Sequence, residues 1–236
     1  KFVVIFCQTR VQAKQHMMNI RNELENNQLL KNDLGPFSEE SDEWGSHSIV
    51  FSNTKARITV ASTEQSIRGL RHHQHRPDLF ICDDVEDVAS TKTREGRNKT
   101  YQWLTGDVIP AGDQGTRLIV IGNLLHEDSL LMRLRERVFK KELDGTFMSC
   151  AIADAKGKSN WPGKFPNAKA LDKERKKIGD EVSWQREYLL NIIPDDDQVI
   201  HPDWIQYYHA DKLPEINTKA YRATYSGVDL AISVKD

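Results

Sequence analysis

The chain has 236 residues, enough to bury a sizeable core and compatible with one large domain or two small ones. A formal net charge of -2 with 29% charged residues suits a soluble globular protein and excludes a strongly basic nucleic-acid coat, so any nucleic-acid contact has to come from a local patch. The three cysteines, Cys7, Cys82 and Cys150, are too few and too scattered for a disulfide framework or a CxxC metal site and point to a reducing compartment, and no apolar run approaches the length of a membrane span.

Residues 1–7 are apolar, aromatic or β-branched at nearly every position, the pattern of a strand buried on both faces. Because that pattern is already running at Lys1, the natural start of the protein is expected upstream. Residues 11–30 contain no Gly or Pro and repeat Ala13, Met17, Ile20, Leu24 and Gln28 at helical spacing, before Gly35-Pro36 ends the run. Two short strands are expected at 48–51 and 57–61, another at 79–82, and a buried Leu-Ile-Val-Ile strand at 117–121, with a charged helix over 92–104 between the last two. Alternating strands and helices predict an α/β fold with a mostly parallel sheet covered on both faces.

Beyond residue 121 the pattern changes. A basic amphipathic helix is expected over 126–141, a strand over 147–152, and a connector at Ser159-Asn160-Trp161-Pro162-Gly163-Lys164-Phe165-Pro166. Helical patterns follow at 168–177 and 181–190, separated by Gly179. Residues 193–203, with Pro194, Asp195-Asp196-Asp197 and Pro202, have linker composition, and a new strand pattern begins near Tyr225, with Asp229 seven residues from the last residue.

The segment with most chemical content is Arg76-Pro77-Asp78-Leu79-Phe80-Ile81-Cys82-Asp83-Asp84-Val85-Glu86-Asp87. An apolar run of strand length that ends in carboxylates reads either as a parallel strand opening into a polar site at its carboxyl end or as a core strand entering an acidic surface turn. His72, His73 and His75 have no companion Cys or His pair at ligand spacing, so they read as solvated loop histidines near that face. Arg133, Arg135, Arg137, Lys140 and Lys141, with Arg94, Arg97 and Lys99, fit either a track for DNA phosphates or, given the interleaved Glu136 and Glu142, a salt-bridged solvent face. Trp161, Trp184 and Trp204 read as core and linker anchors.

Taken in order, Ser66-Ile67-Arg68-Gly69-Leu70, the Asp83-Asp84 strand, Ile119-Val120-Ile121-Gly122-Asn123-Leu124-Leu125-His126, Trp161-Pro162, Tyr188-Leu189-Leu190-Asn191 and Gly227-Val228-Asp229-Leu230-Ala231 resemble the landmarks of tailed-phage terminase large subunits. The resemblance implies a P-loop NTPase-like ATPase core over 1–152, a linker subdomain over 153–220 and the first strand of an RNase H-like nuclease over 221–236. It further implies ATP and Mg2+ as ATPase cofactors, and Mg2+ or Mn2+ for cleavage of concatemeric DNA. Double-stranded DNA, a portal protein, a small terminase subunit and a homo-oligomeric packaging ring would be the partners, in the cytoplasm of an infected bacterium, with no membrane.

By the same resemblance Asp83 matches the Walker B acid that holds magnesium. The family usually places Glu next, to orient the attacking water. Here that position is Asp84, so either Asp84 does the work or Glu86 or Asp87 reaches in from the turn, with Asp84 favoured. Gly122 and Asn123 match the coupling motif beside the terminal phosphate, and Arg68 matches an Arg-Gly landmark that would pair with phosphate or form a structural ion pair. Asp229 matches the first acid of the two-metal nuclease cluster, and Asp236 could join its surroundings as a metal ligand. No GxxxxGK[ST] segment occurs in the 236 residues, so this stretch alone is expected to bind ATP poorly and not to hydrolyse it; by the resemblance the remaining nuclease acids lie beyond Asp236, so it is not expected to cleave DNA either. A helicase-like translocase of another lineage and a degenerate nucleotide-binding or assembly module are the rival readings.

Overall fold

The computed structural model describes residues 1–192, the side chains of residues 40–43 excepted. Six strands form one sheet: β1 (Phe2–Cys7), β2 (Glu39–Trp44), β3 (Ser48–Phe51), β4 (Arg57–Ser62), β5 (Leu79–Asp83) and β6 (Arg117–Ile121), in the spatial order β2-β3-β4-β1-β5-β6. Strands β4, β1, β5 and β6 run parallel, while β2 and β3 continue the sheet antiparallel. The fold is thus α/β with a mostly parallel sheet.

Side-chain alternation along β1 divides the interior in two, because successive residues of a strand point to opposite faces. Phe2, Val4 and Phe6 join Phe80 and Cys82 of β5 under α4 (Arg94–Trp103) and α6 (Leu130–Phe139). The Phe6 ring meets Trp103 edge to face at 5.3 Å and lies 5.8 Å from Phe80. On the other face Ile5 and Cys7 meet Ala13, Met17 and Leu24 of α1 (Arg10–Asn26), with Ile49, Phe51 and Val60 completing that core. Asp78 fixes the start of β1 beside β5, its Oδ2 accepting the Phe2 N–H at 2.7 Å.

Several elements differ from the expectation for local reasons. The helix expected over 11–30 breaks at Asn27, which ends α1 and, by accepting the Leu30 N–H, caps α2 (Gln28–Leu34). The helix expected over 92–104 is present as α4, and a separate short helix, α3 (Val88–Lys92), precedes it; Thr93 divides the two, its hydroxyl accepting the Gly96 N–H. Gly96 is required here, since a Cβ at that position would lie 2.2 Å from the Ser90 carbonyl oxygen. A π-turn at Leu104–Val108 then leads into the short α5 (Ile109–Ala111). Residues 126–129 form a turn ahead of α6 in place of its expected first turn, with the Ser129 N–H bonded to the His126 carbonyl.

The strand expected over 147–152 is absent. Ile152 instead donates its N–H to the Tyr188 carbonyl and accepts from Asn160, so its backbone groups are satisfied without a ladder. Strand β6 is also less buried than its composition suggests. Leu118 and Val120 pack on the core, but Ile119 and Ile121 are 45% and 52% exposed, because no described element covers the second face at that end of the sheet. Coverage on both faces therefore holds for β1 and not for β6.

A satellite core of Phe165, Leu171 and Trp184 joins α7 (Ala168–Ile178) to α8 (Glu181–Glu187). Gly179 stops α7 in the left-handed conformation at φ 69°, where a Cβ would be strained. Among the described residues no helix is long and apolar enough to cross a membrane. The expected linker at 193–203, Trp204, the strand over 221–236, Asp229 and Asp236 lie outside the described residues.

Candidate active site

All four parallel strands end on the same side of the sheet, and Asp83 is the last residue of β5, in register with Ile121 of β6. Asp84 continues the pairing by one bond, its N–H reaching the Ile121 carbonyl at 3.1 Å. Its φ of 46° lies in the left-handed region, which Asp tolerates better than most side chains. This turn puts the carboxylate against the end of β6: a Cβ built on Gly122 would stand 3.5 Å from Asp84 Oδ1. The Asp83-Asp84 and Gly122-Asn123 pairs, 38 residues apart, are thus neighbours at the carboxyl edge where open α/β sheets bind ligands.

Two further side chains enter the cluster. His16, in the second turn of α1, brings Nε2 to 3.5 Å from Asp83 Oδ2. Glu187, the last residue of α8, accepts a short hydrogen bond through Oε2 from Asn123 Nδ2, and its Oε1 accepts from Arg186 Nε at 2.8 Å. Although Asp84 as a residue is exposed, partial desolvation of its carboxyl, then the Asp83 and Glu187 charges, raise that carboxyl from its ordinary value, with His16 opposing. Cys7, buried at the end of β1, has its thiol pushed up to about 11 by burial and then by Asp83 and Asp84. Cys82 is pushed up to about 12, chiefly by burial. Neither cysteine is a thiolate at neutral pH, so neither supplies a nucleophile.

The remaining acids of the turn are committed elsewhere. Glu86 turns toward α6, where Oε2 accepts the Leu130 N–H at 2.8 Å and Oε1 is buried with no partner. Burial raises its carboxyl to about 7, against the opposing influence of that N–H and of Arg133 and Arg97. Asp87 caps α3 by accepting the Ser90 N–H at 2.6 Å. Arg68 is ion-paired with Asp107 of the π-turn at 2.9 Å and is 80% exposed.

The histidine cluster lies away from this edge. His72 is buried beside Phe2, at the start of β1, with its Nε2 2.9 Å from the Lys55 carbonyl oxygen, so it is neither solvated nor near the carboxylates. Among the described residues no group of three or more His, Cys, Asp or Glu is arranged to hold a metal ion. The basic face of α6 is largely paired. Asp128 bridges Arg97 and Arg133 at 2.9 and 2.7 Å, Lys140 meets Glu136 at 2.6 Å, and Arg137 donates to Tyr101 Oη at 3.0 Å. Arg135 lies over the Phe139 and Phe147 rings. Trp184 is a core anchor as expected, whereas Trp161 is 56% exposed with Lys164 Nζ 4.8 Å from its ring centre.

Sequence reasoning missed His16 and Glu187. His16 has a faint signal, since a helix that follows a parallel strand begins at the carboxyl edge of the sheet. Glu187 has none, being 64 residues from Asn123 at the end of the α7–α8 pair. No protein-family model matches this chain, and no curated protein matches it either.

Proposed function

We propose that the carboxyl edge of β5 and β6 is the hydrolytic site of a P-loop-type ATPase of the terminase large-subunit kind, which drives double-stranded DNA into a capsid shell. The observation that carries this reading is the meeting of Asp83-Asp84 with Gly122-Asn123 on adjacent parallel strands. In that arrangement an acid for a cation, an acid for a water and an amide for a phosphate oxygen face one small volume.

The donor set suits magnesium of the kind shared with substrate. Mg2+ typically takes one or two protein carboxylates and fills its other positions with water and phosphate oxygens, so Asp83 suffices without a three-residue cage. When bound, the ion would neutralise charge developing on the phosphate oxygens. Asp83 supplies the anionic contact, and His16 beside its Oδ2 orients that carboxylate. Asp84 orients the attacking water, since Glu86 is occupied by α6 and Asp87 by α3. A carboxyl pushed upward in pKa is a better proton acceptor than an ordinary one, which suits that task. Asn123 Nδ2 donates to the terminal phosphate. The nuclease activity, Asp229 with Asp236 as its acids, the portal protein, the small subunit and the ring assembly follow the family resemblance and belong to the same proposal.

The test is Asp83→Asn in the intact gene product, which keeps side-chain volume and removes one charge. Magnesium-dependent ATP turnover is expected to vanish while the circular dichroism spectrum stays unchanged. Turnover within about twofold of wild type would overturn the assignment.

A further inference from the structure

The partner of Asn123 is an anion. A carboxylate offers only acceptors, so the atom of Asn123 facing Glu187 Oε2 must be the amide nitrogen, and the donor that the proposed function assigns to a phosphate oxygen is already engaged by a carboxylate oxygen. Phosphate and Glu187 are chemically alike in this respect, and both carry negative charge. Asn123 Nδ2 has a second N–H, but a phosphate accepting it would stand against the Glu187 carboxylate as well as Asp83 and Asp84, and that like-charge repulsion puts the two anions in competition for the amide.

Glu187 is also mechanically placed. It ends α8, three residues after Trp184, which is buried in the satellite core, and one residue before Tyr188, whose ring stacks on Trp184 at 4.8 Å and whose carbonyl accepts the Ile152 N–H. Displacing the Glu187 side chain therefore acts on the end of α8 and on the segment bonded to it. The second oxygen of Glu187 is held by Arg186, and the side chain is 34% exposed, so on release it can turn toward solvent without leaving a buried charge unpaired.

We infer that Glu187 is a phosphate surrogate: with no nucleotide bound it occupies the Asn123 amide, and the terminal phosphate of a nucleoside triphosphate displaces it and frees the end of α8. The inference rests on the proposed site. It makes Glu187 a positioning residue that competes with the ligand and carries the report of its arrival to the satellite helices.

The experiment follows hydrogen–deuterium exchange of residues 181–189 in the intact gene product, with and without magnesium and a non-hydrolysable ATP analogue, alongside titration calorimetry of the same ligand. For wild type, ligand is expected to speed exchange across 181–189. In Glu187→Ala that segment should exchange fast already and ignore the ligand, and the ligand should bind about tenfold more tightly, the loss of one competing charge-assisted hydrogen bond. Glu187→Gln, which keeps the shape and an acceptor oxygen but loses the charge, should fall between them, and it guards against a folding defect in the alanine variant. Ligand binding in wild type with unchanged exchange at 181–189, or weaker binding in Glu187→Ala, would overturn the inference while leaving the ATPase reading intact. If wild type bound no nucleotide at all, the ATPase reading would fall and this inference with it.

Discussion

Replacing Glu86 by Gln should make this protein's stability less sensitive to alkali. The glutamate is partly buried and its Oε1 is buried with no partner, and this desolvation raises its carboxyl from 4.5 to about 7 even though Oε2 accepts the Leu130 N–H at 2.8 Å, which opposes the rise. In the window between those values the folded state holds a proton that the unfolded chain has released, and stability therefore falls as pH rises. The contribution is fully present below about pH 4.5 and is lost as pH passes through about 7. A rise of that size is worth about 3 kcal/mol at one proton, and partial solvent access brings the working figure to about 2 kcal/mol. Gln keeps the volume and the acceptor for Leu130 but has nothing to ionise. Urea unfolding of both proteins at pH 5 and pH 8 should show the variant's advantage growing by about 2 kcal/mol between the two, or about 1 M in midpoint at an m-value of about 2 kcal/mol/M. A difference between the proteins that is the same at both pH values would refute the reasoning.

Asp84→Gly should be more stable than Asp84→Ala by about 1 kcal/mol in thermal unfolding, because φ is 46° there and only glycine takes that conformation without strain; equal stabilities would mean that the turn is not held in solution. Asp128→Ala should cost about 2 kcal/mol, since it leaves Arg97 and Arg133, 11% and 20% exposed, without their shared carboxylate. Because those arginines hold the Asp128 carboxyl well below the ordinary range, wild type but not the variant should lose this contribution as pH falls below about 4, and a midpoint gap that persists unchanged into acid would count against the network. Of the three thiols only the exposed Cys150 should react promptly with a disulfide reagent in the native state, and rapid modification of a second one would contradict the burial of Cys7 and Cys82.

Much of the sheet was legible because its signals are local. The dense apolar run of β1, the apolar stretches of β3 to β5 ending at charged or turn residues, and the glycine after α7 each depend on neighbours within a turn or a strand. Strand β2 was missed since Glu39-Glu40-Ser41-Asp42-Glu43-Trp44 is poor in β-formers, and it exists through pairing with β3 and the edge-to-face contact of Trp44 with Phe51 at 5.6 Å. The 147–152 segment failed the other way, for strand composition without a strand to pair with is not a strand.

At the candidate site, the run ending in Asp83-Asp84 and the Gly122-Asn123 step stood out in the sequence, because an apolar strand that stops at a polar residue is a one-dimensional pattern. That the two segments face each other follows from β5 and β6 being parallel neighbours, which is a property of strand order. Which carboxylate looks into the site was decided by three-dimensional partners: Glu86 turns away to an N–H 44 residues on, while Asp84 is swung toward Gly122 by its left-handed backbone. The exposure of Ile119 and Ile121 and the meeting of Glu187 with Asn123 have the same origin, since burial and pairing depend on what packs alongside, and a linear sequence records a residue's chemistry without recording its neighbours in space.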